Sequence, residues 1–138
     1  MDDGSLNSAK PPSPPDTDGN GCFSVSAWNV NSVKLRLPLL AAYLQDKKPD
    51  IMMLQEIKTE TNSFPFFELE SLGYHSLAKG QKSYNGVALL SKHKIELVND
   101  ILPGAPDNGE QARYIEAYCP FFKSTFISVY VPNGEPPA

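Results

Sequence analysis

The sequence of this 138-residue chain predicts an α+β fold. Residues 22–56 show the pattern of a strand, a helix and a second strand, within about the thirty residues of a crossover unit with parallel strands. After residue 84, short apolar segments alternate with turn-rich segments, which is typical of antiparallel strands. Neither an internal repeat nor a second domain boundary interrupts this order.

The amino-terminal segment, residues 1–21, differs in composition from the rest of the chain. It is rich in Pro, Ser, Asp and Gly and almost devoid of large apolar side chains, so we expect a disordered tail. The tail does not resemble a secretory or transit signal, and no apolar run in the chain reaches the length of a membrane span. These features predict an intracellular protein with no membrane partner.

The charge and the cysteines argue against two kinds of site. A net charge of −4 and a pI near 5.1 disfavour a nucleic-acid clamp that covers the whole surface, so any polyanion site must be local. Cys22 and Cys119 lie far apart and have no Cys or His at metal-binding spacing. We expect two reduced, half-buried thiols.

The first three elements follow from changes in apolar spacing. Residues 22–29, CFSVSAWN, alternate with the period of two that is typical of a strand. Residues 32–48 predict a helix, with Pro38 in its first turn and Pro49 just beyond its end. The apolar residues at helical spacing are Val33, Leu37, Leu40, Ala41 and Leu44. The run IMML, residues 51–54, then predicts a buried second strand.

Polar residues stand where each of these two strands ends, Asn29 after the first and Glu56 after the second. Because the carboxyl ends of parallel strands lie at one edge of a sheet, where open α/β sheets bind ligands, we expect the two side chains to converge. A carboxylate at the edge of an apolar core is costly unless it is paired. A solvated or capping Glu56 and a turn-forming Asn29 remain alternatives.

The remaining elements are shorter. Residues 63–74 predict a helix with Ser63 as its cap and Gly73 as its end. Residues 84–92, YNGVALLSK, predict a strand entered through an Asn-Gly turn, and residues 94–102 its antiparallel partner. Residues 112–119 and 124–132 predict two more strands, joined by the short connection PFFK.

Five segments together resemble a known family. In chain order they are WNVNSV, PDIMMLQEIK, GQKSYNGVALLSK, QARYIEA and VYVPNGE. They are similar to the amino-terminal half of the exonuclease III family of apurinic/apyrimidinic endonucleases, within the endonuclease/exonuclease/phosphatase superfamily. The resemblance implies a DNase I-like four-layer αββα sandwich, of which residues 22–138 form the truncated amino-terminal half. We expect this half to contain one sheet, whose inner face would be bare.

The resemblance also implies roles for three residues. Glu56, in the motif LQEIK, would be a ligand of a catalytic Mg²⁺ or Mn²⁺ ion, with Asn29 beside it in the metal site. Asn29 would in addition orient the scissile phosphate, and Tyr130 would donate a hydrogen bond to the phosphate oxygens. For Tyr130 the alternative is an aromatic residue that fills the core or an interface.

Further residues have lesser implied roles near this site. Asn31 and Lys58 would line it, the alternatives being a helix cap and a solvated lysine. Lys79, Lys82 and Tyr84 lie in or beside a basic loop that the family uses to grip DNA, whereas an ordinary solvated loop is the alternative. The basic residues 92–94 extend this cluster, and for them the same alternative has more weight.

Arg113, in the motif QARYIEA, would lie near the DNA path. A structural ion pair with Glu110 or Glu116 is the competing explanation.

The function implied by the resemblance is magnesium-dependent hydrolysis of the backbone of double-stranded DNA at abasic sites, with 3′–5′ exonuclease activity as a further expectation. Such a repair enzyme would work in the bacterial cytoplasm at the nucleoid, or in a eukaryotic nucleus. The family's Asp-x-Asn motif and closing Asp-His pair lie in the carboxyl-terminal half, a partner that this chain lacks, so we expect the chain alone to be an inactive fragment. Two alternatives stay open: another metal-dependent phosphoesterase of the superfamily, and a non-catalytic DNA-binding or assembly module.

Overall fold

The computed structural model describes residues 22–105, 107 and 109–132, so the predicted tail of residues 1–21 lies outside the described residues. The described residues form seven strands, two helices and one 3-10 turn at Thr61–Ser63. In chain order the strands and helices are β1 (Val25–Asn29), α1 (Val33–Lys47), β2 (Ile51–Gln55), α2 (Phe66–Ser71), β3 (His75–Lys79), β4 (Val87–Ser91), β5 (Glu96–Asn99), β6 (Tyr114–Cys119) and β7 (Ser124–Val129). No helix among the described residues is long and apolar enough to cross a membrane.

The strands form two sheets. The first has the order β1-β2-β4-β3, and the second has the order β5-β6-β7. Strands β1 and β2 are parallel, with Asn29 opposite Gln55, which confirms the predicted crossover unit. All other strand pairs are antiparallel, including β6 with β7. The predicted α+β class is confirmed.

The two sheets pack face to face, and the helices cover the other side of the first sheet. Alternation along β4 explains this arrangement, because Ala88 and Leu90 pack with the helices whereas Val87 and Leu89 pack with Ile115 of the second sheet. The prediction of a single sheet with a bare inner face is therefore wrong. Ile127 and Val129, on the outer face of β7, are among the large apolar side chains that stay exposed in the described residues.

Residues 94–102 do not pair with β4, contrary to the prediction. Strand β4 already has a neighbour on each side, since β2 and β3 both bond to it. The sequence did not predict β3, which pairs His75 with Ser91 and Lys79 with Val87. The chain therefore leaves the first sheet after β4, and β5 pairs with β6 in the second sheet.

The limits of the helices partly match the prediction. Helix α1 starts after Ser32, whose Oγ accepts a hydrogen bond from the Leu35 N–H at 3.3 Å, and it ends at Lys47, just before Pro49. Pro38 lies in the second turn rather than the first, at an exposed position of the helix, where it removes one backbone hydrogen bond. Ser63 lies in the 3-10 turn and does not cap α2.

Of two smaller predictions, the one for Gly73 is confirmed and the one for the burial of the cysteines is wrong. Gly73 ends the second helical segment with a φ of +91°, as expected for a left-handed terminating residue. The cysteines are not half-buried, because Cys22 is exposed and Cys119 is fully buried between the sheets.

Candidate active site at one edge of the two sheets

The strand register brings the predicted site residues to one end of the molecule, which we call the site edge. In the first sheet, Asn29, Gln55, Val87 and Lys79 stand side by side on four neighbouring strands. In the second sheet, Tyr130 directly follows the β7 residue that pairs with the first residue of β6. The convergence of Asn29 and Glu56 that we inferred from the parallel strands is therefore present.

The Glu56 carboxylate lies at the centre of this edge. Its Oε2 accepts a hydrogen bond from Asn29 Nδ2 at 3.0 Å, and the Tyr130 hydroxyl donates to the same carboxylate. The Lys58 ammonium lies 3.6 Å from Oε1. The bond from Asn29 above all, with those from Tyr130 and Lys58, holds the pKa of Glu56 below its usual range, so the group is ionised at neutral pH.

The pKa of Tyr130 changes in the opposite direction. Its hydrogen bond to the Glu56 carboxylate, with burial and the negative charge of that group, raises the pKa of the phenol. The hydroxyl therefore keeps its proton at neutral pH and remains a hydrogen-bond donor.

Asn31 and Lys58 form a second layer beside this cluster. Lys58 Nζ donates to Asn31 Oδ1 at 2.5 Å, and the Asn31 N–H donates to Asn29 Oδ1 at 3.3 Å. The lysine thus joins the loop after β1 to the loop after β2. Both residues therefore lie at the site edge, beside Asn29 and Glu56.

The backbone after β2 has an unusual conformation that directs Glu56 into the site. Glu56 and Lys58 have φ values of +55° and +53°, in the left-handed region that non-glycine residues rarely adopt. Ile57 between them is completely buried. Its N–H donates to the Gly86 carbonyl at 3.2 Å and its carbonyl accepts from Val33 at 3.0 Å, so neighbouring loops on both sides fix the conformation.

Gly86 allows this packing, and replacing it with Ala should be costly. A Cβ there would lie 2.3 Å from Ile57 Cγ1, and φ is +94°. We expect Gly86→Ala to lower the free energy of unfolding by about 2–4 kcal/mol, measured by urea denaturation. Gly73→Ala is the matched control, because its φ is +91° with nothing within 4 Å, and it should cost only about 1 kcal/mol. Equal losses for both variants would show that contact with Ile57 does not matter.

The donor atoms of the site edge suit a hard divalent cation. Glu56 supplies an ionised carboxylate that is 20% exposed, and the Asn29 and Asn31 side chains supply amide oxygens close to it. The Lys58 ammonium shows that a positive charge is stable beside these oxygens. Within the part of the chain that the structure describes, no group of three or more His, Cys, Asp or Glu residues could hold a metal.

The basic loop before β4 lies at the same edge. Lys82 and Tyr84 are exposed, and Gln81 anchors the loop by accepting from Asn85 Nδ2 at 3.0 Å and from the Ala112 N–H at 2.6 Å. Lys79 has a different environment. Its ammonium donates to the Asp100 carbonyl at 2.5 Å and lies 3.7 Å from the Asp100 carboxylate, which reduces its availability to a ligand.

Arg113 immediately precedes β6, and its carbonyl accepts a hydrogen bond from the Tyr130 N–H at 2.8 Å. Its positive charge contributes to the low pKa of Asp107, after the backbone N–H groups of Gln111 and Gly109, and it opposes the rise in the pKa of Tyr130. The Arg113 Nε atom is buried and has no hydrogen-bond partner among the described residues. Glu116, one of the two acidic partners considered from the sequence, accepts from the Tyr114 hydroxyl at 2.8 Å.

Residues 92–94 lie at the opposite end of the first sheet, where Ser91 pairs with Ile51. Lys92 lies 3.7 Å from the Asp50 carboxylate, and the His93 ring stacks on Phe121 with a centroid distance of 3.7 Å. These contacts, and the distance from the site edge, favour the alternative of an ordinary loop and turn for this segment.

Two polar contacts near the site were not predicted. One is the anchoring of the loop by Gln81, and the other is a bond between Gln55 and Ser128 that joins the two sheets. The only signal in the sequence was a polar residue at the end of an otherwise apolar strand, which does not reveal its partner 73 residues away.

Comparison with known proteins agrees with this geometry. Residues 26–135 match the model of the endonuclease/exonuclease/phosphatase family. Over 113 residues the chain is 34% identical to exodeoxyribonuclease III of Haemophilus influenzae, a match that covers 79% of this chain and 41% of that protein.

Solved structures give the same result. A 3′ phosphatase from Neisseria, NExo, bound to a product DNA hairpin, is 37% identical with a TM-score of 0.67, covering 79% of this chain and 41% of that one. An AP endonuclease from Archaeoglobus fulgidus is 31% identical with a TM-score of 0.71, covering 80% and 42%. The chain thus spans 41% of the length of the curated relative that it matches. The predicted resemblance and the predicted DNase I-like fold are confirmed, and the chain belongs to the endonuclease/exonuclease/phosphatase family.

Proposed function

We propose that residues 22–138 form the amino-terminal half of a DNA repair nuclease that hydrolyses the backbone of double-stranded DNA at abasic sites and also degrades 3′ ends. The observation that carries the proposal is the Glu56 carboxylate, ionised and held by Asn29 and Tyr130 at the site edge. The names of the relatives support it, since they include an exodeoxyribonuclease, an AP endonuclease and a 3′ phosphatase with a DNA product. The protein would work where DNA is, at a bacterial nucleoid or in a eukaryotic nucleus.

Glu56 and Asn29 would hold the divalent cation, Mg²⁺ or Mn²⁺, through their side-chain oxygens. When bound, such a cation stabilises negative charge on phosphoryl oxygens. Because the Lys58 ammonium lies 3.6 Å from Glu56 Oε1, Lys58 balances the carboxylate charge in this structure, and it also donates to Asn31 Oδ1.

Tyr130 and Asn29 would act on the phosphate itself. The raised pKa of Tyr130 keeps its hydroxyl protonated, so it can donate to a phosphate oxygen as charge develops there. Asn29 has its amide nitrogen fixed by Glu56 and its oxygen by the Asn31 N–H, which leaves it little freedom to rotate. Arg113, with a buried and unsatisfied Nε, would add positive charge beside Tyr130 on the DNA path.

The exposed loop residues Lys82 and Tyr84 would contact the DNA backbone, with Lys79 contributing less because Asp100 already binds it. We expect Lys82→Ala to weaken binding to all duplex sequences and to reduce the slope of log K against log salt by about 0.9, because the variant neutralises one phosphate fewer. Lys94→Ala is the matched control, since this exposed lysine lies at the other end of the sheet. Equal salt slopes for Lys82→Ala and the unmodified chain would identify a solvated loop.

The choice of substrate tests the proposal against its closest rival, a phosphoesterase for small phosphates. The chain would be mixed with the part of the Haemophilus influenzae exodeoxyribonuclease III that it does not match. We expect the mixture to cut an abasic duplex far faster than an undamaged duplex or a small phosphodiester. Preference for the small phosphodiester would favour the rival, and metal-independent DNA binding without cleavage would favour an assembly module.

A further inference from the structure

Between the two sheets, a small polar contact interrupts the apolar layer next to the site edge. Gln55 Nε2 donates to Ser128 Oγ at 3.0 Å, and Ser128 Oγ donates to the Leu54 carbonyl at 3.0 Å. Ser128 is 1% exposed, so water cannot replace either bond. The hydroxyl therefore uses one donor and one acceptor position, both toward the end of β2.

The position of this contact in the chain links it to the site. Gln55 directly precedes Glu56, and Ser128 lies two residues before Tyr130 on the same face of its strand. The two bonds join segments that are 73 and 74 residues apart, and they connect β2 of the first sheet with β7 of the second. Any sliding of β7 along β2 would break both bonds and move Tyr130 relative to Glu56.

Apolar packing alone would fix the position of β7 along β2 poorly. The layer between the sheets next to the contact consists of side chains such as Met53 and Phe126, whose contacts have little directional preference. Hydrogen bonds have narrow limits of distance and angle. The two hydrogen bonds of Ser128, which lie next to the site edge, are therefore suited to fix how the end of β7 is aligned with the end of β2.

We propose that Ser128 and Gln55 are positioning residues, which hold the end of β7 against the end of β2 so that the Tyr130 hydroxyl reaches the Glu56 carboxylate. Neither side chain needs to touch a substrate. The importance of this contact for DNA hydrolysis rests on the proposed function, whereas its effect on the Tyr130–Glu56 bond can be measured without it.

The test uses the full 138-residue chain with ¹³C in the phenol carbon of tyrosine, observed by NMR at neutral pH. Tyr130→Phe assigns the Tyr130 signal among the six tyrosines, and Glu56→Ala shows its position when the carboxylate partner is removed. We expect Ser128→Ala and Gln55→Met to shift the signal most of the way to the Glu56→Ala position. Ser128→Thr, which keeps the hydroxyl, should return it toward the original position.

Ser124→Ala is the matched control, because Ser124 lies on the same face of β7 but bonds to the Phe122 carbonyl at the far end. It should leave the Tyr130 signal unchanged. A folded Ser128→Ala chain with an unmoved Tyr130 signal would overturn the proposal. If Ser128→Ala does not fold, Gln55→Met decides in the same way, since Gln55 is only half-buried.

Kinetics then separate this inference from the proposed function. In the mixture with the unmatched part of the relative, we expect Gln55→Met to lower kcat with little change in KM, because Tyr130 would be misplaced while substrate binding is kept. A shifted Tyr130 signal with unchanged kcat would contradict the catalytic role given to Tyr130 and leave the positioning role intact.

Discussion

Glu56→Gln is expected to slow cleavage by roughly 10²-fold or more and to weaken the binding of divalent cations, because a neutral amide lacks the charge that attracts the metal. The substitution keeps the size of the side chain, and an amide oxygen can still accept from Asn29 Nδ2 and the Tyr130 hydroxyl. We therefore expect the fold to be retained. Cation binding is measured on the chain itself through Mn²⁺ broadening of its NMR signals, and cleavage in the mixture with the unmatched part of the relative.

Glu60→Gln provides the matched control, because Glu60 is an exposed carboxylate in the same loop. In this variant, the Mn²⁺ broadening of the NMR signals and the rate of DNA cleavage should equal those of the unmodified chain. The low pKa of Glu56 also sets the direction of the pH effect: cation binding should be complete at neutral pH and should disappear as the pH falls through the lowered pKa of this group. Unchanged Mn²⁺ broadening around Asn29 in Glu56→Gln would remove Glu56 from the metal site.

The second large effect concerns the activity of this chain alone, without the part of its relatives that it does not match. The described residues bring together one carboxylate, an amide and a phenol, and they include no group of three or more His, Cys, Asp or Glu residues that could hold a metal. Activation of the attacking water needs a base, and groups that act as a unit fail together when part of the unit is absent. We expect no measurable nicking of an abasic duplex by the purified 138-residue chain. Efficient magnesium-dependent nicking, in a preparation free of host nuclease, would show that fewer residues suffice.

Local patterns predicted the parts of the fold that depend on neighbouring residues. The period-two segment before Asn29, the helical spacing up to Pro49 and the apolar run of β2 gave the parallel unit correctly. The choice of partner for β5 depended on distant contacts, since β4 is saturated by a strand that lacks a clear apolar pattern, HSLAK. The second sheet was missed for the same reason, because apolar residues on both faces of β4 do not reveal what covers each face.

The candidate site was predictable to the extent that strand ends are predictable. Asn29 and Glu56 converge because parallel strands place their carboxyl ends together, an argument that needs no partner to be known. Their contact with Tyr130 depends on how the two sheets are aligned, and this alignment could not be predicted from the sequence. In the structure, the hydrogen bond between Gln55 and Ser128 joins the two sheets next to this contact. Lys79 shows the opposite case, in which a basic residue at the right edge is held by Asp100, 21 residues away.

The central claim is that this chain contributes the carboxylate, amide and phenol of a two-part nuclease site, and complementation tests it most directly. The chain and the unmatched part of the Haemophilus influenzae enzyme would each be purified, then assayed separately and together on an abasic duplex with Mg²⁺. We expect neither part alone to nick the duplex, and the mixture to nick it until a chelator is added. A mixture that associates into a folded complex yet never cuts abasic DNA would contradict the account.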